Sequence, residues 1–201
     1  MKDIVREGYN KIAKKYLAVR HENLPEMNLL VDFTRSLPKD AKILDAGCGS
    51  GIPFTKYLSN NFDVLGIDIS KNQIKLAKKN VPKAKFLCED MTKIVFPEET
   101  FDAIISFYAI IHVPREEHGN LIAKFYSMLK KSGRVLLCFH SNDDPGSYED
   151  DFFGERMFWS GFDKNTNIEM LEEIGFIIEK TELVADSLSE NSQHLFIFAK
   201  K

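Results

Sequence analysis

The 201 residues suit one domain and are short for two. At 44% hydrophobic and 28% charged, with sixteen Phe to fill a core, the composition excludes a disordered chain. The net charge of −3, with six Arg beside 21 Lys, argues against a broad basic surface for nucleic acid.

The N-terminal stretch places Ile4, Val5, Tyr9, Ile12, Ala13, Tyr16 and Leu17 at three- and four-residue spacing, which predicts an amphipathic helix. A second helix follows Pro25, with Met27, Leu30, Val31 and Thr34 on one face, and Pro38 ends it. Lys42–Ala46 reads as a buried strand, and Pro53 suits the first turn of a helix running to about residue 59. Residues 63–67 form a second strand. Ser70-Lys71-Asn72-Gln73 has the spacing of a capping box and opens a helix to about residue 80, with Ile74 and Ala77 inward. Lys85–Cys88 is a short strand and 102–107 a strongly apolar one. Pro114 opens a long helix with Leu121, Ile122, Phe125, Met128 and Leu129 on one face, and Gly133 precedes a strand over 134–139. Residues 141–163 read as a long connection with seven acidic side chains against Arg156 alone. The next helix runs from Asn165 or Thr166 to Ile174 and stops at Gly175, which fits a left-handed cap with Phe176 folding back. Strands over 176–183 and 194–200 finish the chain. Strands alternating with helices imply an α/β fold with a doubly wound, mostly parallel sheet covered on both faces. In such sheets ligands bind outside the carboxyl ends of the strands.

No apolar run reaches the ~20 residues of a membrane helix. One of the longest, 103–111, contains Ser106, and the N-terminus has no signal-peptide run. Cys48, Cys88 and Cys138 lie far apart with no CxxC pair, so a disulfide scaffold or zinc ribbon is not expected and the cysteines suit a reducing cytosol.

Asp45-Ala46-Gly47-Cys48-Gly49-Ser50-Gly51 sits directly after the first strand and before a helix. The glycines allow positive φ and close approach of a ligand to the backbone, and exposed N–H groups at the helix start offer hydrogen bonds. The spacing is GxGxG; Ile52 stands at the third-glycine position of a dinucleotide fingerprint, and no Lys-Ser/Thr follows as in a P-loop. A tight strand-to-helix turn is the plainer reading, although three alternate glycines exceed its needs. Asp68 ends the second strand, where a carboxylate can accept both hydroxyls of a ribose; the alternative is a helix N-terminal charge beside the Ser70 cap. Asp90 ends the third strand, with a solvated turn as its alternative.

The run Ile43-Leu44-Asp45-Ala46-Gly47-Cys48-Gly49-Ser50-Gly51, then Gly66-Ile67-Asp68-Ile69-Ser70, Glu89-Asp90-Met91 and Phe101-Asp102-Ala103-Ile104-Ile105-Ser106, resembles the class I S-adenosylmethionine-dependent methyltransferases of the small-molecule type, over about 40–140. The resemblance implies a Rossmann-like, seven-stranded sheet with the last strand antiparallel, and S-adenosylmethionine rather than NAD as cofactor. It implies that the Gly47, Gly49 and Gly51 backbone cradles the methionine part and that Asp45 helps hold its amino group. Asp68 would bind the ribose hydroxyls, Ile69 pack on the adenine, Asp90 and the Met91 backbone read its edge, and Ser106 lie beside the methionine. Lys130-Lys131-Ser132-Gly133 departs from the Pro-Gly-Gly of many relatives, at a turn. The N-terminal Tyr9–Tyr16 stretch resembles the cap of small-molecule members, in which a tyrosine at the Tyr16 position closes over the cofactor; the other reading makes both tyrosines core residues. The expected organisation is a single methyltransferase domain over 1–201: a helical cap at 1–38, the cofactor core at 40–140, a lid at 141–163, and a C-terminal helix and strand pair at 164–201.

His112 and His140 follow the fourth and fifth strands, on the ligand side, where a neutral imidazole could take a proton from an attacking hydroxyl or amine; each could equally be a satisfied structural histidine. His118 is expected on the surface of the following helix. The acidic segment interleaves carboxylates with aromatics, which can bind a cation or merely anchor a solvated loop. Tyr108, Trp159 and Phe162 are the candidate acceptor contacts. No Asn/Asp-Pro-Pro-Tyr follows the fourth strand, no Pro-Cys nucleophile is present, and no metal-ligand cluster stands out. The leading expectation is a methyltransferase acting on O or N of a small polar molecule, with no nucleic-acid or membrane partner. The rivals are a non-catalytic S-adenosylmethionine-binding module and a protein or RNA methyltransferase.

Overall fold

Near-continuous apolar runs, whose side chains alternate between the two faces of a sheet, build the centre of this molecule, a computed structural model that describes residues 1–20, 24–185 and 192–201. The elements run α1 (Lys2–Ala18), α2 (Glu26–Thr34), β1 (Lys42–Ala46), α3 (Phe54–Leu58), β2 (Asp63–Asp68), α4 (Lys71–Asn80), β3 (Lys85–Cys88), β4 (Phe101–Ser106), α5 (His118–Met128), β5 (Leu129–His140), β6 (Asp144–Phe152), β7 (Glu155–Gly161), α6 (Lys164–Ile174), β8 (Ile177–Ala185) and β9 (Gln193–Lys200). Seven strands form one sheet in the order β3-β2-β1-β4-β5-β9-β8. Pairings from β3 through β5 are parallel, and β9 is antiparallel to both its neighbours.

Alternation decides which face each side chain covers. Ile43 packs on one face while Leu44 and Ala46 pack on the other; β9 repeats the pattern with Phe196 and Phe198 against Leu195, Ile197 and Ala199. Leu30 and Phe33 of α2 cover the first face, and Phe125 of α5 and Leu171 of α6 cover the second. Burying a ring such as Phe125, fully enclosed, stabilises by about 1.5–3 kcal/mol. From β1 the chain moves outward through β2 and β3, then returns to place β4 on the other side of β1. That reversal opens a crevice at the carboxyl ends of β1 and β4.

Local signals place the helix ends. Ser70 Oγ accepts from the Gln73 N–H at 3.2 Å, and the Asp163 side chain accepts from Asn165 and Thr166 N–H at 2.9 and 3.2 Å. Gly175 takes φ 114°, and the Phe176 N–H folds back to the Leu171 carbonyl at 3.0 Å.

Three elements differ from the sequence expectation. β5 begins at Leu129, not at residue 134: Leu129 pairs with Phe101, a bulge with Ser132 at φ 63° follows, and Lys130 is anchored to Asp102 at 2.8 Å. The helix expected from Pro114 starts at His118 after a single 3-10 turn, because Pro114 is extended and the Arg115 N–H is tied to Ser160 Oγ at 3.0 Å. The acidic connection is a hairpin, β6 paired with β7, turning through Phe153 and Gly154 with φ 58° and 93°. Its acids face water along β6, while Met157 and Phe158 of β7 are both buried against Val5, Ile12 and Phe152. His118 is not at the surface: it is 1% exposed, and its Nε2 reaches the Ile110 and Val113 carbonyls at 3.1 and 2.9 Å.

Candidate active site

The loop after β1 is held open by its glycines. Gly47, Gly49 and Gly51 take φ of 88°, 52° and 78°. A Cβ on Gly47 would lie 2.1 Å from Ala109 Cβ, so no larger residue fits there. The Gly47 and Cys48 N–H groups donate to the Ile67 carbonyl at 2.8 and 2.9 Å, fastening the loop to β2. At the end of β2, Asp68 accepts from the Gly49 and Ser70 N–H groups at 2.9 and 2.8 Å. Burial lifts its carboxyl to about 6 despite those bonds.

Above the loop lies a cavity enclosing about 880 Å³ of unfilled space, open solvent at its mouth included. The strand ends contribute Gly47, Gly49, Asp68, Ile69 and Met91 to its lining. Helix α1 forms the opposite wall with Val5, Tyr9 and Tyr16. Two contacts seat α1. Gly8 lets it approach β7, where an added Cβ would meet Met157 at 3.0 Å, and Asn10 Oδ1 accepts from Ser70 Oγ at 2.8 Å.

Gln73 is among the wall residues that no motif marks as a site residue. Gln73 is 1% exposed and lines the cavity, and neither its Oε1 nor its Nε2 has a hydrogen-bond partner among the described residues. In a full capping box this side chain would return to the Ser70 N–H. Asp68 takes that N–H instead, which leaves the buried carboxamide without a partner among the described residues.

Tyr9 and His112 meet across the cavity, with the Tyr9 hydroxyl 2.9 Å from His112 Nε2. His112 Nδ1 lies 2.7 Å from the Phe158 carbonyl of β7. A carbonyl only accepts, so Nδ1 carries the proton and Nε2 is the bare acceptor of the Tyr9 O–H. Burial pushes His112 down to about 4, which keeps it neutral near pH 7. Tyr16 meets the Tyr9 ring edge-on at 5.3 Å, and its hydroxyl accepts from Arg20.

Lys2 and Asp90 border the cavity on the β3 side, and Tyr108 borders it after β4. Asp90 is already engaged: it accepts from the Thr92 N–H and hydroxyl at 2.9 and 2.7 Å and faces Lys2 at 3.4 Å. Six expected site residues do not line the cavity. Gly51 is turned toward Val81 and Ala77, where an added Cβ would lie 2.9 Å from Val81 Cγ2. Asp45 is turned beneath the loop, accepts from Thr55 Oγ1 at 2.5 Å, and is raised by burial to about 7. Ser106 donates to the Ala46 carbonyl at 2.7 Å and is fully buried. His140 packs under Gly161 and lines a separate groove with Asp144, Asp151 and Trp159. Trp159 packs on His112 with its ring tilted by 38°, ring centres 4.3 Å apart. Phe162 lies against His118 and Arg115. The hairpin thus stands behind the cavity wall: it supports α1 and His112 without lining the cavity. Among the described residues no group of three or more His, Cys, Asp or Glu could hold a metal, and no helix is long and apolar enough to cross a membrane.

A family model described as a methyltransferase domain matches residues 43–133. Phosphoethanolamine N-methyltransferase 3 of Arabidopsis thaliana is 34% identical over 143 residues, which is 67% of this chain and 28% of that protein. The tRNA (carboxymethyluridine(34)-5-O)-methyltransferase alkbh8 of Xenopus tropicalis is 33% identical over 139 residues, 68% of this chain and 21% of that protein. The chain therefore spans under a third of the length of these relatives. A solved S-adenosylmethionine-dependent methyltransferase from Methanosarcina mazei shares the fold, with a TM-score of 0.74 and 23% identity over 89% of this chain and 97% of that one. The matched stretch 43–133 contains the glycine loop, Asp68 and Asp90, and the chain belongs to the class I S-adenosylmethionine-dependent methyltransferases, with S-adenosylmethionine as its cofactor.

Proposed function

We propose that this chain moves a methyl group from S-adenosylmethionine to an oxygen or nitrogen atom of a small polar acceptor. The observation that carries this reading is the Tyr9–His112 pair, 2.9 Å apart in the cavity that also holds Asp68 and the glycine loop. The residues present suit the cofactor. Gly47 and Gly49 carry no side chain to hold a ligand off the loop, Asp68 can accept from paired ribose hydroxyls, and Gln73 lines the cavity beside it. The bound cofactor supplies an electrophilic methyl carbon on a sulfonium, so the protein needs no covalent nucleophile.

The remaining work is alignment and exclusion of water. Ile69 and Met91 form an apolar slot for the adenine, and α1 covers the site. His112 Nε2 accepts a hydrogen bond from the O–H or N–H of an acceptor that displaces or joins Tyr9, and it takes the proton released by the attack. The Phe158 carbonyl fixes the tautomer this requires and steadies the imidazolium as it forms. Trp159 and the hairpin hold His112 in place. By name, one relative acts on phosphoethanolamine and another on a tRNA uridine. The cavity beneath α1 favours an acceptor of the smaller kind.

Purified protein, S-adenosylmethionine and fractionated metabolite extract test the reading. Release of S-adenosylhomocysteine should depend on a small-molecule fraction and be lost in His112→Ala while S-adenosylhomocysteine still binds that variant. Methylation confined to protein or RNA fractions would sink the acceptor class, and no transfer to any fraction would favour a non-catalytic module.

A further inference from the structure

We propose that β8 is a pairing edge for a second copy of this chain, the two β8 strands running antiparallel across a two-fold axis at Thr181 and joining two sheets into one. The proposal lies outside the cavity and is independent of the cofactor and acceptor readings.

β8 ends the sheet and pairs with β9 alone. Among the described residues, no group outside the sheet bonds the backbone of 177–185, so the N–H and C=O groups on its outer side stay open to another strand. Nine residues are long for an edge, and Ile177 and Leu183 are 57% and 48% exposed. The opposite edge, β3, has only four residues. A long open edge with exposed apolar side chains is a template for strand pairing.

The charges of β8 select both the partner and the register. In an antiparallel pair only alternate residues turn their N–H and C=O groups toward the partner strand. A two-fold axis therefore passes through one residue, and the residues on either side of it face each other in pairs. Thr181 is the midpoint of Ile177–Ala185. With the axis there, Lys180 of each copy stands opposite Glu182 of the other, and the two Thr181 residues meet. An axis one residue away sets Lys180 or Glu182 against its own copy. An axis two residues away sets Lys180 against Ile178 or Glu182 against Val184. Within one copy Lys180 and Glu182 lie on the same side of the strand, 3.0 Å apart and 43% and 41% exposed, so pairing closes four charges of alternating sign into a ring. The bulge between Ile178 and Lys180 interrupts the ladder at its start, which leaves more of the choice to these charges. The cavity lies at the ends of β1 to β4, with β5 and β9 between it and β8, so pairing leaves both sites open.

Sedimentation velocity of the full chain over a concentration series is the test, with S-adenosylhomocysteine calorimetry as the check that each variant folds. The wild type should pass from monomer to a closed dimer. Lys180→Glu and Glu182→Lys each set like charges against each other on both sides of the axis and should raise the dimer dissociation constant about 10-fold or more. Combining Lys180→Glu with Glu182→Lys restores each opposition and should bring the constant back to within about threefold of wild type. In a Cys88→Ser background, which removes the exposed cysteine, Thr181→Cys should join two copies through a short bis-maleimide. A wild type that stays monomeric up to about 1 mM, or that forms open head-to-tail oligomers, overturns the proposal. So do single exchanges that leave the dimer unchanged, or a combined exchange as weak as the single ones. A failure of Thr181→Cys to crosslink at concentrations where the dimer sediments overturns it as well.

Discussion

Acid should weaken nucleoside binding while easing the empty site, because both effects run through one half-buried carboxylate. Asp68 is lifted from an ordinary 3.8 to about 6, mainly by burial, against the opposing pull of the Ser70 and Gly49 amides. That difference is worth about 3 kcal/mol. The folded protein holds the proton more tightly than the unfolded chain, so the penalty is full above about pH 6 and gone below about pH 4. The stability associated with Asp68 thus rises as pH falls, with about half of the change between pH 7.5 and 5. His112 and His140 oppose it. Their folded values of about 4 lie below the ordinary 6.5, so stability is lost as pH falls between the two. Urea unfolding of wild type and Asp68→Asn at each pH separates the contributions: the wild type should gain on the variant by about 1.5 kcal/mol from pH 7.5 to 5. Binding runs the other way, since ribose hydroxyls need the ionised acceptor. 5′-Methylthioadenosine, which has no group titrating in this range, should bind wild type about tenfold more weakly at pH 5 than at 7.5 and show no such slope with Asp68→Asn. A flat wild-type profile would refute both the burial argument and the ribose contact.

Gly47→Ala should abolish nucleoside binding and lower the melting temperature, because φ 88° and the 2.1 Å approach to Ala109 Cβ forbid a side chain; normal binding would show that the loop can re-form. Gln73→Leu should cost the nucleoside about 1 kcal/mol of affinity by calorimetry while leaving the fold stable or slightly more so, since it removes a buried group with no internal partner. His118→Leu strands the Ile110 and Val113 carbonyls that His118 Nε2 now satisfies, and should destabilise by about 1–3 kcal/mol in urea; a silent substitution would mean water reaches them. Tyr9→Phe should reduce methyl transfer more than S-adenosylhomocysteine affinity, and Trp159 fluorescence should change on ligand binding through its stack on His112; equal losses in rate and affinity, or an unresponsive Trp159, would detach the pair from the chemistry.

What the sequence disclosed were features written in consecutive residues. The glycine loop is a strand followed by three alternate glycines, Asp68 ends the next strand, and short, strongly apolar runs mark the sheet. The β6–β7 hairpin stayed hidden because β6 is exposed almost throughout and both Met157 and Phe158 of β7 are buried, so neither strand shows a clean alternation. Gln73 was masked by its own capping box, and only the competing claim of Asp68 on the Ser70 N–H frees it. Ser106 and Asp45 sit at the right strand ends yet spend their polar atoms on Ala46 and Thr55. The end of a strand places a residue near a site, but its hydrogen bonds decide whether it faces one.

The most direct measurement is a crystal structure of the protein with S-adenosylhomocysteine. The ribose hydroxyls should sit on Asp68, the adenine between Ile69 and Met91, and the tail over Gly47 and Gly49 toward Tyr108. A ligand seated outside this cavity, or one reversed with its adenine at Tyr108, would contradict this placement.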